Sequence, residues 1–339
     1  MAPIFHALPP GTCVTVLTGQ HYDDQMVANF FEDLDLPAPG FRVSSTRGAY
    51  GLRLGDMVEG VASYLRAHPV EIVLVEGDTD SVLAGALAAA NVGIPVGHVE
   101  AGLRCGDRAM PEERNRVALA HLADLHFCPT VLQRQNLLAE GVDPGRIFVV
   151  GNTVVDALRH VGAFSMAQTR EIVTLTVHRD ETLADPAGLA RILAFARSIS
   201  EDHHLPAVFP VHPHTRKVLD GLDGAAAGLE LLDPLGYRAF IGLLRRSALV
   251  LTDSGGVQEE TTCLGIPCVT LRRTTERPET VFARTNLLLP PGLLGTWLAR
   301  HTVCRLLQAP WTDGTAETIL GDGHAGRRIA EILAARFGG

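Results

Sequence analysis

The chain has 339 residues, of which 46% are hydrophobic and 20% charged, with a formal net charge of −9. That length exceeds what one hydrophobic core usually organises and predicts a globular protein of two domains. The acidic balance excludes nucleic acid and anionic membrane surfaces as general partners, so an anionic ligand must meet local positive charge.

In chain order, residues 13–18 are apolar and rich in Thr and Val, and predict a strand that stops at the turn Gly19-Gln20-His21. Helical periodicity covers 54–67, and 70–75 predicts a buried strand ending at Glu76-Gly77-Asp78-Thr79. A helix follows at 81–90, then a short strand at 94–99, a helix at 113–122 and a strand at Leu125–Cys128. Residues 133–140 predict a helix closed by Gly141, and 147–150 a strand ending at Gly151-Asn152. This alternation predicts a parallel sheet with helices on both faces.

Residues 153–170 read as a connection, after which the pattern restarts. Strands are predicted at 172–177, 207–211, 229–232, 248–252 and 267–271, with helices at 187–200 and Tyr237–Arg246 and a final helix at 325–336. Two doubly wound, Rossmann-like halves fit: a first domain over 1–157, a second over 158–320, and a terminal segment over 321–339 expected to cross back to the first. Ligands of such sheets bind at the carboxyl ends of the strands, which predicts a site in the cleft between the halves.

The composition and spacing also exclude several classes of protein. The six cysteines form no Cys-x-x-Cys pair and read as reduced thiols, mostly buried. His203, His204, His212 and His214 lack nearby cysteines, and no metal is expected. Met1-Ala2-Pro3-Ile4-Phe5-His6 lacks the basic start and apolar stretch of a signal peptide. The apolar run 82–99 is interrupted by Asn91, Gly93, Pro95 and His98, so it reads as helix, turn and strand rather than a membrane span. A cytoplasmic protein is expected.

The chemistry concentrates after predicted strands. Asp253-Ser254-Gly255-Gly256-Val257-Gln258-Glu259-Glu260 follows an apolar strand and opens a helix. A strand, glycine turn and helix present unpaired N–H groups backed by the positive end of the helix dipole, a place for phosphate. Glu259 and Glu260, one turn on, suit a ribose diol, which suggests a nucleotide or nucleotide-sugar. Asp78, Glu100, Arg104, Asp107, Arg108, Glu112, Glu113 and Arg116 gather after strands of the first half. His178-Arg179-Asp180-Glu181, His212, His214 and Thr274-Thr275-Glu276-Arg277-Pro278-Glu279 do so in the second. Singly, each has a structural explanation: Asp78 or Ser254 as a helix cap, Glu112 and Glu113 as first-turn residues after Pro111. Their shared placement at strand ends favours a site.

These segments resemble the UDP-N-acetylglucosamine 2-epimerase family. The likeness is carried by Gly77-Asp78-Thr79, Gly97-His98-Val99-Glu100-Ala101-Gly102-Leu103-Arg104 and Pro111-Glu112-Glu113-Arg114-Asn115-Arg116. It continues through 253–260 and 274–279 to Gly321-Asp322-Gly323. The resemblance implies a glycosyltransferase-B-like fold, a homodimer, and no metal or nicotinamide cofactor. It also implies C2 epimerisation of UDP-N-acetylglucosamine to UDP-N-acetylmannosamine, by elimination of UDP to 2-acetamidoglucal and re-addition. By resemblance, Asp78, Glu100 and Glu112 form the acid/base set, with His178 counted beside them. His178 and the Ser254-Gly255-Gly256 amides hold the diphosphate, and Arg277 adds charge. Glu260 binds the ribose, Phe240 lies against the uracil, and Arg104 and His212 line the substrate site. Gln20 and His21 match a pair that binds a second UDP-N-acetylglucosamine as activator.

Departures accompany the likeness. Tyr22 stands where the family commonly has Arg, Thr182 where Asn is common and Leu235 where Gln is common. Residues 1–8 resemble part of the family's first helix, so the family's first strand and its Gly-Thr-Arg-Pro-Glu loop have no counterpart. A strand missing from the first sheet is therefore expected, with ladder groups and apolar faces of its neighbours uncovered. The competing functions are a hydrolysing epimerase that releases UDP and N-acetylmannosamine, a retaining glycosyltransferase, and an inactive nucleotide-sugar sensor. Polysaccharide precursor synthesis is the expected setting.

Overall fold

Every strand pairing in the computed structural model is parallel. The structure describes residues 1–19, 24–43, 50–222, 224–308 and 319–338. These form two compact units, one of Met1–Ala157 with Gly321–Gly339 and one of Leu158–Leu320. No helix among the described residues is long and apolar enough to cross a membrane.

The first unit contains helices α1 (Ala2–Ala7), α2 (Asp24–Asp33), α3 (Tyr50–Ala67), α4 (Asp80–Asn91), α5 (Pro111–Leu122), α6 (Val131–Ala139) and the start of α7 (Thr153–His160). Its strands are β1 (Val16–Leu17), β2 (Phe41–Arg42), β3 (Val73–Glu76), β4 (Val96–Val99), β5 (Leu125–Cys128) and β6 (Ile147–Val149). They fall into two sheets, β1-β2 and β3-β4-β5-β6, where one continuous sheet would complete a doubly wound half. β3 ends its sheet: Val73, Leu74 and Glu76 are half-buried, whereas β4 and β5 are buried throughout. Val16 and Phe41 still share an apolar cluster with Val73 and Val75, so side-chain packing joins the two sheets.

The terminal helix Ala325–Phe337 belongs to this unit and packs on α1. Its first amides, Ala325 N and Gly326 N, donate to Asp156 at 3.2 and 3.0 Å. Ile329 and Leu333 complete an apolar cluster with Ile4, Phe127 and Val150.

The second unit is a single six-stranded sheet, ordered β12-β11-β10-β7-β8-β9. The strands are β7 (Ile172–Thr176), β8 (Ala207–Pro210), β9 (Glu230–Leu232), β10 (Ser247–Thr252), β11 (Cys268–Thr270) and β12 (Asn286–Leu288). Helices α8 (Asp180–Leu183), α9 (Pro186–His203), α10 (Pro213–Leu219), α11 (Tyr237–Arg246), α12 (Gly255–Leu264), α13 (Pro278–Phe282) and α14 (Trp297–Gln308) surround it. β7 and β10 are fully buried, as strands covered on both faces must be. Their polar residues meet each other: Thr174 with Ser247 at 2.7 Å and Thr176 with Thr252 at 2.6 Å. Sequence reasoning missed β12, a three-residue edge strand, and α14, although Ala299, Val303 and Leu306 have helical spacing and are buried.

The first unit also buries two histidines side by side, His98 on β4 and His126 on β5, paired in register. Burial pushes both imidazoles down to about 4. The unfolded chain takes up these protons near the ordinary histidine value, the folded chain only near 4. Stability is therefore lost as pH falls from about 6.5 to about 4, at about 1.4 kcal/mol per pH unit for each proton. We expect His126→Leu to flatten the fall of the thermal midpoint across this window relative to the wild type. An unchanged slope would show that these imidazoles do not set the acid limit.

Candidate active site

In the first unit, the acidic residues stand at the carboxyl ends of adjacent parallel strands. β3 ends at Glu76, whose register partner on β4 is Val99, so Asp78 and Glu100 leave the sheet side by side. The Cβ position of Gly77 lies 4.0 Å from Glu100 Oε2. Glu100 itself has φ 61°, in the left-handed region. For a residue with a Cβ this costs on the order of 1 kcal/mol and must be held by its surroundings. Gly102 helps to hold it: with φ +85°, its backbone rests on α6, and a Cβ there would lie 2.3 Å from the Gln133 carbonyl oxygen. Glycine is the residue this approach requires.

The loop then reaches α5, which starts at Pro111 with Glu112 and Glu113 in its first turn. The two glutamates have different fates. Glu112 is half-buried. Glu113 is 2% exposed and accepts hydrogen bonds from Gly106 N at 2.8 Å and Cys105 N at 3.1 Å. Hydrogen bonds from these amides and from Arg116 outweigh burial and hold the Glu113 carboxyl below its ordinary range. Arg116, fully buried, reaches Asp78 and Glu113 together. Arg104 forms a bidentate pair with Glu140 of α6 at 2.6 and 2.7 Å and donates to the Leu103 carbonyl.

The second unit assembles a candidate anion cradle from three loops. Ser254 stands at the N-cap of α12 without a side-chain cap bond, so its hydroxyl does not occupy the first amides of the helix. Asp253 is completely buried, and its carboxylate accepts from His178 N at 3.2 Å and Arg179 N at 3.1 Å. His178 Nδ1 lies 3.4 Å from Asp253 Oδ1, and the His178 and His212 rings are 6.3 Å apart. His212 serves as the N-cap of α10, its Nδ1 accepting from His214 N.

Behind the cradle, Glu276 bridges Arg179 at 3.2 Å and Arg272 at 2.9 Å. A Cβ on Gly255 would lie 2.4 Å from Glu276 Oε1, so the first helical turn sits directly on this ion pair. Arg277 is 6% exposed and paired with Glu259 at 2.5 Å, so its charge is engaged within the unit.

One turn into α12, burial pushes the Glu260 carboxyl up to about 8 beside Tyr237. Phe240 is half-buried on α11, one turn beyond Tyr237. The second unit thus brings together His178, His212, Ser254, Gly255, Gly256 and Glu260. In the first, Asp78 and Glu100 follow adjacent strand ends, and Glu112 lies in the first turn of α5. Gln20 and His21 lie outside the described residues. Among the described residues no group of three His, Cys, Asp or Glu side chains gathers as a metal site.

Sequence reasoning did not assign the bracing residues Asn115, Glu113, Arg116, Arg179, Asp253, Arg272 and Glu276. Most were visible as charges at strand ends; Glu113–Arg116 and Arg272–Glu276 have i,i+3 and i,i+4 spacing that could have found them, whereas Arg116–Asp78, Arg179–Glu276 and the Asp253 contacts run between loops that no sequence spacing connects.

The sequence model of UDP-N-acetylglucosamine 2-epimerase matches residues 8–334. A UDP-N-acetylglucosamine 2-epimerase of Methanocaldococcus jannaschii is 40% identical over 93% of this chain and 89% of its own. A UDP-2,3-diacetamido-2,3-dideoxy-D-glucuronate 2-epimerase of Pseudomonas aeruginosa is 38% identical over 95% and 91%. Among solved structures, the M. jannaschii epimerase in complex with UDP-GlcNAc and UDP superposes with a TM-score of 0.86 at 36% identity, covering 98% of this chain and 95% of that one. The fold is glycosyltransferase-B-like, as the resemblance implies.

The left-handed backbone at Glu100 has a measurable consequence. Asparagine tolerates this region better than glutamate, so Glu100→Asn is expected to raise stability by up to about 1 kcal/mol. Denaturant unfolding checks this, and a clear loss of stability would show that Glu100 is not strained.

Proposed function

This chain belongs to the UDP-N-acetylglucosamine 2-epimerase family, and we propose that it epimerises UDP-N-acetylglucosamine at C2, reversibly and without hydrolysis. The observation that carries this reading is the presence of an open helix N-terminus in one unit and of carboxyl groups at neighbouring strand ends in the other. The first suits a leaving diphosphate and the second suits proton transfer.

The C2 hydrogen of the sugar is too weakly acidic for a carboxylate to remove alone. Loss of UDP in the same elimination provides the driving force. The C2–H and C1–O bonds break, a C1–C2 double bond forms, and UDP leaves with the electron pair while a carboxylate takes the proton. Return of a proton to the opposite face of C2, with UDP re-adding at C1, completes the inversion. Asp78, Glu100 and Glu112 are the proposed acid/base groups. The α12 amides and His178 stabilise the departing diphosphate, Glu260 holds the ribose hydroxyls, and Phe240 packs against the uracil. The P. aeruginosa relative is named for a different 2-acetamido sugar, so the acetamido-bearing C2 and the UDP are the features this reading requires. The proposal extends to a homodimer working in polysaccharide precursor synthesis, with a second UDP-N-acetylglucosamine as activator.

Incubation with UDP-N-acetylglucosamine in D2O, followed by NMR, tests the reaction. UDP-N-acetylmannosamine carrying deuterium at C2 is expected. Free N-acetylmannosamine with UDP would instead establish the hydrolysing reaction, and no exchange would leave a binding protein or a transferase. Glu100→Gln should abolish exchange while UDP still binds; unchanged turnover would remove Glu100 from the mechanism. On the nucleotide side, Gly255→Ala forces a methyl group against the Glu276 ion pair. A loss of UDP affinity of about tenfold or more is expected by calorimetry, corresponding to overpacking of about 1.4 kcal/mol or more. Unchanged affinity would place the diphosphate elsewhere.

A further inference from the structure

We propose that Arg116 is a positioning residue that sets which oxygen of Asp78 is offered to the reacting sugar, with Glu113 as the fixed anchor on its other side. The inference rests on the reading of Asp78 as an acid/base group given above. It begins with burial. Arg116 has 1% side-chain exposure, and a guanidinium out of water is costly unless its charge and donors are matched. Two carboxylates match them. Nε donates to Asp78 Oδ2 at 2.8 Å, and Nη2 lies 2.6 Å from the same oxygen. Nη1 donates to Glu113 Oε2 at 2.7 Å.

The two carboxylates are not equivalent. Glu113 is as buried as Arg116 and is held by the amides of Cys105 and Gly106, so it cannot follow a ligand. Asp78 keeps 22% exposure and is the member of the triad that a ligand can reach. Since both arginine contacts converge on Oδ2, Oδ1 is the oxygen left to face the site.

The main chain of Asp78 is held separately. Asn115 Nδ2 donates to the Asp78 carbonyl at 2.9 Å, and His98 Nε2 lies 2.8 Å from the Gly77 carbonyl. With the backbone held from two sides, the remaining freedom is the carboxyl rotation, and Arg116 removes it. Arg116 is too deeply buried to touch the sugar, so its effect passes through Asp78. A lysine would keep the charge but lose the planar fork that grips Oδ2 from two nitrogens while holding Glu113.

A double-mutant cycle tests this. Arg116→Met alone would leave Glu113 as a buried unpaired charge, so the variant used is the neutral pair E113Q/R116M, made with and without D78N. Thermal unfolding and UDP affinity report the fold. Single-turnover deuterium incorporation at C2 reports residual rates, and KM is measured alongside kcat. We expect E113Q/R116M to fold, bind UDP within about threefold of the wild type, and lose kcat by roughly 100-fold, the scale of a misplaced catalytic group. In the D78N background the same substitutions should cost less than about threefold. Equal losses with and without Asp78 would overturn the proposal, as would a raised KM with unchanged kcat. Full activity of D78N would overturn the assignment of Asp78 and this inference with it. R116K supplies a second measurement should the neutral pair not fold: it should lower kcat when Asp78 is present and leave it unchanged in the D78N background, and full activity of R116K would overturn the role of the fork.

Discussion

A charge removed from water must be matched by another, and in this protein that constraint shapes the loops at the strand ends. Arg116 between Asp78 and Glu113 is the instance in the first unit. In the second, Asp253 gathers the His178 and Arg179 amides, and Glu276 joins Arg179 to Arg272. Arg116–Asp78, Arg179–Glu276 and the Asp253 contacts each cross from one loop or helix to another, so they fix the relative position of segments that the sheet delivers separately. Replacing such pairs by apolar residues need not weaken a fold. What they supply here is geometry.

The two units use this rigidity differently. In the second, the Glu276 ion pairs lie against the first turn of α12. A preorganised set of donors needs no rearrangement when negative charge develops on a leaving group. In the first, rigidity is imposed on carboxyl groups. Glu113 is fully committed, Asp78 is held through one oxygen, and Glu100 is carried on a left-handed backbone. The neighbouring glutamates of α5 show how finely this is divided: one residue of helical rotation separates Glu113, an internal anchor, from Glu112, a proposed acid/base group. Strain at Glu100 and buried charge at Arg116 are costs that a purely structural loop would not be expected to carry.

Much of the fold was legible because parallel sheets covered on both faces impose continuous apolar strands and a repeating strand–helix rhythm. The strands at 70–75, 94–99, Leu125–Cys128 and 248–252 follow from that rule, and their ends located the acidic and histidine residues. Short edges were not legible: Asn286–Leu288 has too few residues to declare a period. The division of the first sheet into β1-β2 and β3-β4-β5-β6 could not be read from the strand pattern. The individual roles of Glu112 and Glu113 could not be separated by sequence, because both suit the first turn after Pro111. Arg104 and Arg277 looked alike as cations near a site. Their partners, Glu140 and Glu259, are assigned by three-dimensional packing, which spacing along the chain does not encode.

The central claim is that UDP departs from C1 during the reaction and returns. Its most direct test places 18O in the oxygen bridging C1 and the β-phosphorus of UDP-N-acetylglucosamine. If the C1–O bond breaks, the freed β-phosphate can rotate before re-addition. The account then predicts that label appears in the non-bridging β-phosphate positions of recovered nucleotide-sugar as C2 epimerises. Epimerisation with the label confined to the bridging position would indicate proton exchange at C2 without departure of UDP, and would contradict the account.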